Sequence, residues 1–327
     1  MVDGDEVTAA AARIAGQVRP VVLAPAAERL WFALEFLQHT GTFKARGALN
    51  FTAAHREAGA LPEAGIAIAS GGNAGLACAW AAGRVGVPAT VFVPENAPRV
   101  KVERLRALGA TVRPAGREYA EAAEAARSFV AETGALASHA YDHPLIAAGA
   151  GTLLPEILAA RPSVRTVVVA VGGGGLFAGV AAAAAEHGVR VVAVEPEHCR
   201  ALNAALAAGE PVDVTVDSVA ADALGARRVS ATAAGFVRQP HVTSVLVTDD
   251  AILASRRRLW EDHRLVVEPG AATALAALDS GAYPTGPDEE VCVVLCGANT
   301  DPADPDLQRP AAPPRGAHGT GTAPALS

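Results

Sequence analysis

Along most of the chain, short unbroken apolar runs alternate with longer stretches of small and mixed residues. The runs at 65–69, 89–94, 166–171, 189–194 and 291–295 are rich in Val, Ile and Ala and too short for helices, which predicts strands buried on both faces. A shorter run at 245–247 and the start of one at 111–112 read the same way, and 21–24 and 30–37 alternate like short strands or approaches to them. Between them, 45–58, 74–86, 99–108, 119–132, 176–187, 201–208, 251–261 and 271–278 read as helices. An amphipathic helix at 7–18 ends before Pro20. Strand and helix in alternation predict an α/β fold with twisted parallel sheets, helices on both faces, and ligands at the carboxyl ends of the strands.

Composition narrows the function classes. The 327 residues allow two domains of ordinary size. With 27 basic against 34 acidic residues, a net charge of -7 and no basic cluster, nucleic acid and anionic membranes are poor partners. The four cysteines, Cys78, Cys199, Cys292 and Cys296, lack metal-site spacing, and no signal peptide is evident, so a cytoplasmic protein with reduced thiols is expected. The longest apolar runs fall short of a membrane span.

Loops at strand ends carry the candidate chemistry. Lys44 sits among small, aromatic and turn-forming residues, its near charge is another cation, Arg46, and no carboxylate lies between Glu35 and Glu57. Such a setting favours a free amine suited to Schiff-base chemistry, although residue type alone favours a solvated surface lysine. Gly172 to Gly175 join a strand to a helix, where bare N–H groups make an anion cradle. The plain alternative is a tight turn. A P-loop is excluded because no Gly-Lys-Ser/Thr follows, and a dinucleotide fingerprint fails at Phe177, although Glu195 ends the next strand about where a ribose-binding acid belongs. Ser70-Gly71-Gly72-Asn73 offers polar donors for a carboxylate or, equally simply, a helix cap. Cys296 reads as a site thiol or a buried cysteine. Arg256, Arg257 and Arg258 read as a solvated helix face, and Glu268 as a structural cap rather than a catalyst.

Taken in order, Thr-Gly-Thr-Phe-Lys-Ala-Arg-Gly-Ala, Ser-Gly-Gly-Asn-Ala-Gly, Gly-Gly-Gly-Gly-Leu, Val-Glu-Pro and Leu-Cys-Gly-Ala-Asn resemble the fold-type II pyridoxal-phosphate enzymes, whose fold is like that of the tryptophan synthase β-subunit. Within them the chain is most similar to the serine/threonine dehydratases, over about 20 to 301. The resemblance implies a large domain of 1–37 plus 146–301, a small domain of 38–145, and a homodimer. The Pro/Ala/Gly-rich segment 302–327 is expected to be disordered. Lys44 would carry pyridoxal phosphate, with Phe43 against its ring, Asn73 on the ring 3-hydroxyl, Cys296 beside the ring nitrogen, and Gly172, Gly173, Gly174, Gly175 and Leu176 at the phosphate. Ser70, Gly71, Asn73, Ala74 and Thr42 would bind the substrate.

The implied reaction is β-elimination from L-serine or L-threonine, giving pyruvate or 2-oxobutyrate and ammonia. Departures from the family pattern sharpen this. Racemases and some hydroxyaspartate dehydratases place a serine where this chain has Gly71, so racemisation is expected to be poor. The further carboxylate of a divalent-metal site is matched by Ala201, so Glu195, backbone carbonyls and Cys199 would suit a monovalent cation such as K+. The alternative is another fold-type II pyridoxal-phosphate enzyme such as a serine racemase or hydroxyaspartate dehydratase, and a nicotinamide-dependent oxidoreductase and a non-catalytic amino-acid-binding protein are the rival classes.

Overall fold

The computed structural model describes residues 2–304. Asp3 and Glu6 form a reciprocal capping box that starts α1 (Gly4–Ile14), whose buried stripe includes Val7, Ala10 and Ile14. The antiparallel hairpin β1 (Leu23–Ala27) and β2 (Leu30–Ala33) follows, and two 3-10 turns, Glu35–Leu37 and His39–Gly41, lead into α2 (Lys44–Glu57). Next come β3 (Ile66–Ala69), α3 (Asn73–Val85), β4 (Ala89–Val93), α4 (Arg99–Ala107), β5 (Thr111–Pro114), α5 (Tyr119–Thr133) and β6 (Leu136–Ala137). Their strands form a 4-stranded sheet in the order β5-β4-β3-β6, every pair parallel.

Helices α6 (Pro144–Gly151) and α7 (Leu153–Ala160) return the chain to the larger sheet. There follow β7 (Thr166–Ala170), α8 (Gly175–His187), β8 (Arg190–Pro196), α9 (Ala201–Ala208), α10 (Ala221–Leu224), α11 (Ala231–Phe236), β9 (Val242–Val247), α12 (Asp249–His263), α13 (Pro269–Asp279) and β10 (Val291–Val294). This sheet has six strands in the order β1-β2-β10-β7-β8-β9, and only its edge pair β1–β2 is antiparallel. Each sheet packs its own apolar core, one around β7, β8, β10, α8 and α13, the other around β3 and β4.

Alanine and glycine let helices meet at backbone distance. A Cβ at Gly179 of α8 would fall 2.0 Å from the Ala147 carbonyl of α6, and one at Gly47 of α2 would fall 2.5 Å from the Ile146 carbonyl. Neither position tolerates a side chain without separating the helices.

The strand expected at 30–37 ends at Ala33, because Glu35 turns into the interior to meet Arg46. The Arg46 guanidinium is fully buried, takes both Glu35 oxygens at 2.8 Å, and holds Glu156 of α7 at 2.6 and 2.9 Å. It also donates to Thr152 Oγ1 at 3.2 Å and to the Arg19 carbonyl at 3.3 Å. Burial alone would lower its pKa, but the bonds and charges of Glu35 and Glu156 more than reverse this and raise it. Arg46 is therefore a paired structural cation, not an isolated charge beside Lys44.

A further expectation needs correction. Arg256 is buried rather than solvated: it donates to the Val267 carbonyl at 2.9 Å, Thr300 Oγ1 at 2.9 Å and Asp304 at 2.7 Å. Asp304, which that last bond holds, is the third residue of the segment expected to be disordered from 302, and the part of that segment from 305 on lies outside the described residues.

Arg46→Ala leaves Glu35 as an unpaired buried carboxylate and is expected to cost about 3–5 kcal/mol. Arg99→Ala, which removes an exposed i,i+4 pair with Glu103, is expected to leave stability unchanged within error. Urea unfolding of the two variants checks this, and equal midpoints would contradict it.

Candidate active site

The carboxyl ends of both sheets face one cavity of about 930 Å³. Its walls come from the loops after β3, β4, β6 and β7, from Cys296 after β10, and from the first turn of α2. This is where a parallel α/β architecture places ligands.

Lys44, the first residue of α2, faces this cavity. Its Nζ donates to the Ala140 carbonyl at 3.1 Å and lies 4.9 Å from the centroid of the Phe43 ring. Burial lowers its pKa, and the charges of Cys296 and Glu268 only partly oppose this. The amine also sits at the positive end of α2, which disfavours a further positive charge. Arg46, two residues on, points nearly opposite around the helix and spends the nearby carboxylates Glu35 and Glu156 on itself.

Across the cavity, the glycine loop runs from β7 into α8. Gly174 has φ +93°, and a Cβ there would come 2.4 Å from the Ala233 methyl. At Gly173 a Cβ would strike the Tyr141 ring at 2.3 Å. The loop thus needs glycine, and the first N–H groups of α8 have no intrahelical carbonyl in reach. Gly172 to Gly175 and Leu176 all line the cavity.

At the start of α3, Gly72 is the N-cap and no side chain caps the helix. Ser70 and Asn73 therefore do not serve as caps, and the first N–H groups of α3 stay open beside the cavity-lining residues Ser70, Gly71, Gly72, Asn73 and Ala74. Asn73 Nδ2 donates to both Glu268 oxygens, at 2.9 and 3.1 Å, and its Oδ1 accepts from Asn299 Nδ2 at 2.7 Å.

Glu268 departs from expectation. It occupies the N-cap position of α13, but its side chain does not cap; it turns to Asn73 and the cavity. Burial raises its pKa. Cys296 is buried, and its thiol is pushed well above the ordinary range, first by burial and then by Glu268, so it is neutral.

Thr42 is not brought into the cavity: it is fully buried, its hydroxyl has no partner, and its backbone bridges to Gly297. Glu195 and Cys199 also lie elsewhere. Both Glu195 oxygens accept N–H groups at the start of α9, from Leu202 at 2.7 Å and Asn203 at 2.8 Å, while burial pushes its pKa up to about 8. Among the described residues no group of three or more His, Cys, Asp or Glu side chains is placed to hold a metal ion.

Sequence reasoning missed Glu268 as a site group, together with the Ala140 carbonyl and Tyr141. The Glu268 side chain is aimed by a tertiary bond, and Ala140 contributes only backbone, which residue type does not report.

The residues present fit pyridoxal phosphate: a lysine with a lowered pKa, an aromatic face at Phe43, a neutral thiol, and a glycine cradle at a helix N-terminus for the phosphate.

Comparison with known proteins agrees. Residues 15–297 match the family model described as pyridoxal-phosphate dependent enzyme. The L-threonine ammonia-lyase of Geobacter sulfurreducens is 39% identical over 276 residues, covering 83% of this chain and 67% of that protein. The serine dehydratase-like protein of Rattus norvegicus is 35% identical over 280 residues, covering 81% of this chain and 83% of that protein. Among solved structures, maize serine racemase superposes with a TM-score of 0.83 at 30% identity, covering 92% of this chain and 94% of that one.

A lowered pKa leaves the Lys44 amine free at pH values where an ordinary lysine, at 10.5, is still protonated. Labelling of Lys44 in the apoprotein by an amine-reactive reagent, followed by peptide mass mapping across pH, is expected to reach half-maximal rate below 10.5. A midpoint at or above that value would contradict the assignment.

Proposed function

The chain belongs to the pyridoxal-phosphate dependent enzyme family, and from that premise we propose that it is an ammonia-lyase acting on L-serine, L-threonine or both. The products are pyruvate or 2-oxobutyrate and ammonia. The observation that carries this reading is one lysine with a lowered pKa facing a cavity where the neighbouring polar loop presents glycine, not a second hydroxyl, at position 71.

When bound, pyridoxal phosphate supplies a carbonyl carbon that condenses with amines and a ring that draws electrons from the substrate Cα. Lys44 would hold it covalently until the substrate amino group took its place there, which would free the Lys44 amine, and the glycine loop would bind its phosphate. Ser70 and the open N–H groups at the start of α3 bind the substrate carboxylate. This orients Cα–H toward Lys44, whose Nζ accepts the proton; the Ala140 carbonyl, 3.1 Å away, holds that nitrogen in place. Cys296, neutral and buried, would not keep a ring nitrogen protonated; electron withdrawal would stay moderate, which would favour prompt loss of the β-hydroxyl as water, with the proton returned from Lys44.

Racemisation needs a second acid on the other face of Cα. A Cβ at Gly71 would meet only Val93, at 3.4 Å and beyond, so the position has room for a serine that this chain lacks. The reading also takes the protein to be a cytoplasmic homodimer, in keeping with its four free, buried cysteines; light scattering that gave a monomer mass would remove the dimer. Among the described residues no helix is long and apolar enough to cross a membrane.

Purified protein loaded with pyridoxal phosphate is expected to form 2-oxo acid from L-serine or L-threonine, and Lys44→Ala to lose roughly 10²–10⁴-fold or more of that rate. Gly71→Ser is expected to raise D-serine formation from L-serine relative to pyruvate. No 2-oxo acid from either substrate, or D-serine as the main wild-type product, would sink the proposal.

A further inference from the structure

We infer that Asn299 is a positioning residue that decides which end of the Asn73 amide faces the cofactor. An asparagine amide fits its site in two orientations of nearly equal shape but opposite chemistry, presenting either N–H donors or a carbonyl acceptor. If Asn73 meets the ring 3-oxygen, as the proposed reading assigns and on which this inference rests, only the donor orientation helps.

A chain of hydrogen bonds fixes the choice from both ends. Asn299 Nδ2 donates to the Thr40 carbonyl at 2.9 Å and to Asn73 Oδ1 at 2.7 Å. The Thr40 carbonyl can only accept, so Asn299 must turn its amino group that way, and its second hydrogen reaches Asn73 Oδ1. Asn73 is thereby forced to present Nδ2 on its other side, where the Glu268 carboxylate accepts at 2.9 and 3.1 Å. The two Glu268 oxygens can share one Nδ2 hydrogen in a bifurcated bond, which makes the other available to a group in the cavity. Reversing Asn73 would set amino group against amino group at Asn299 and carbonyl against carboxylate at Glu268. The Asn299 backbone N–H also favours the charged form of Glu268, against the larger effect of burial.

The loop before Lys44 is shaped around this bond. Thr40 adopts φ 64°, a left-handed conformation uncommon for a non-glycine residue, and carries the accepting carbonyl. At Gly41 a Cβ would come 2.9 Å from Asn299 Oδ1, and the Gly41 carbonyl accepts from Ala298 N at 3.0 Å.

The test is a double-mutant cycle on Asn299→Ala and Asn73→Ala, read by the pyridoxal phosphate dissociation constant and by the ratio of the two absorption bands of the bound cofactor. Asn299→Ala is expected to weaken binding about tenfold and shift the band ratio, but to add less than twofold when Asn73 is already alanine. Asn299→Asp adds an acceptor competing for the same Nδ2 and is expected to weaken binding further than alanine does. Apoprotein melting curves identify any variant that fails to fold, and the alanine cycle decides the matter without the aspartate variant. An unchanged constant and spectrum in Asn299→Ala, or a full tenfold loss persisting without Asn73, would overturn the inference. Asn73→Ala with wild-type affinity and spectrum would overturn the Asn73 assignment beneath it, whereas wild-type protein that bound no pyridoxal phosphate would overturn the cofactor reading itself.

Discussion

A lysine amine held out of water without a carboxylate of its own is the constraint on which the site depends. Burial stabilises the neutral form of Lys44, and only a neutral amine can attack a carbonyl or accept a proton from Cα. The fold protects that state by directing negative charge elsewhere. Glu35 and Glu156 close on Arg46, on the opposite side of α2, and Glu268 is engaged by Asn73. A carboxylate redirected toward Lys44 would restore the ammonium and remove the nucleophile.

Geometry enforces this electrostatic arrangement. Helices α2, α6 and α8 meet at backbone distance because their contact positions are glycine and alanine, so the segment that follows β6 is held against the first turn of α2 and the glycine loop. Ala140 then reaches Lys44 with its carbonyl, while Tyr141 lies against Gly173 and donates from its hydroxyl to the Arg228 carbonyl at 3.1 Å. The amine and the anion cradle are thus set by one short stretch of chain, which explains why an alanine-rich composition is compatible with a defined site.

Much of this was legible in the sequence. The strands β3, β4, β7, β8 and β10 are short, mostly apolar runs, and strand-to-helix loops with serine, asparagine or glycine mark the cavity in the sequence itself. Less legible were α6 and α7, since Pro-Leu-Ile-Ala-Ala-Gly-Ala-Gly, buried against α2 and α8, has no polar face to give a period. Long-range pairing was invisible: Arg46 finds Glu156 110 positions away, and Arg256 leaves the solvated face its neighbours suggest to bind Asp304. Glu268 sat at a cap position and read as a cap, but the bond from Asn73, 195 positions away, aims it inward. Thr42 is buried outside the cavity lining, and its place in the motif says nothing of which side of the loop its side chain occupies.

The central claim is that Lys44 is the residue that carries pyridoxal phosphate, and the chain offers a clean test because it contains two lysines, Lys44 and Lys101. Lys101 instead pairs with Asp222 at 2.7 Å on the cavity wall. Borohydride reduction of the loaded protein followed by peptide mass mapping should place one pyridoxyl group on the peptide containing Lys44. A pyridoxyl group on Lys101 alone, or on neither lysine, would contradict the account.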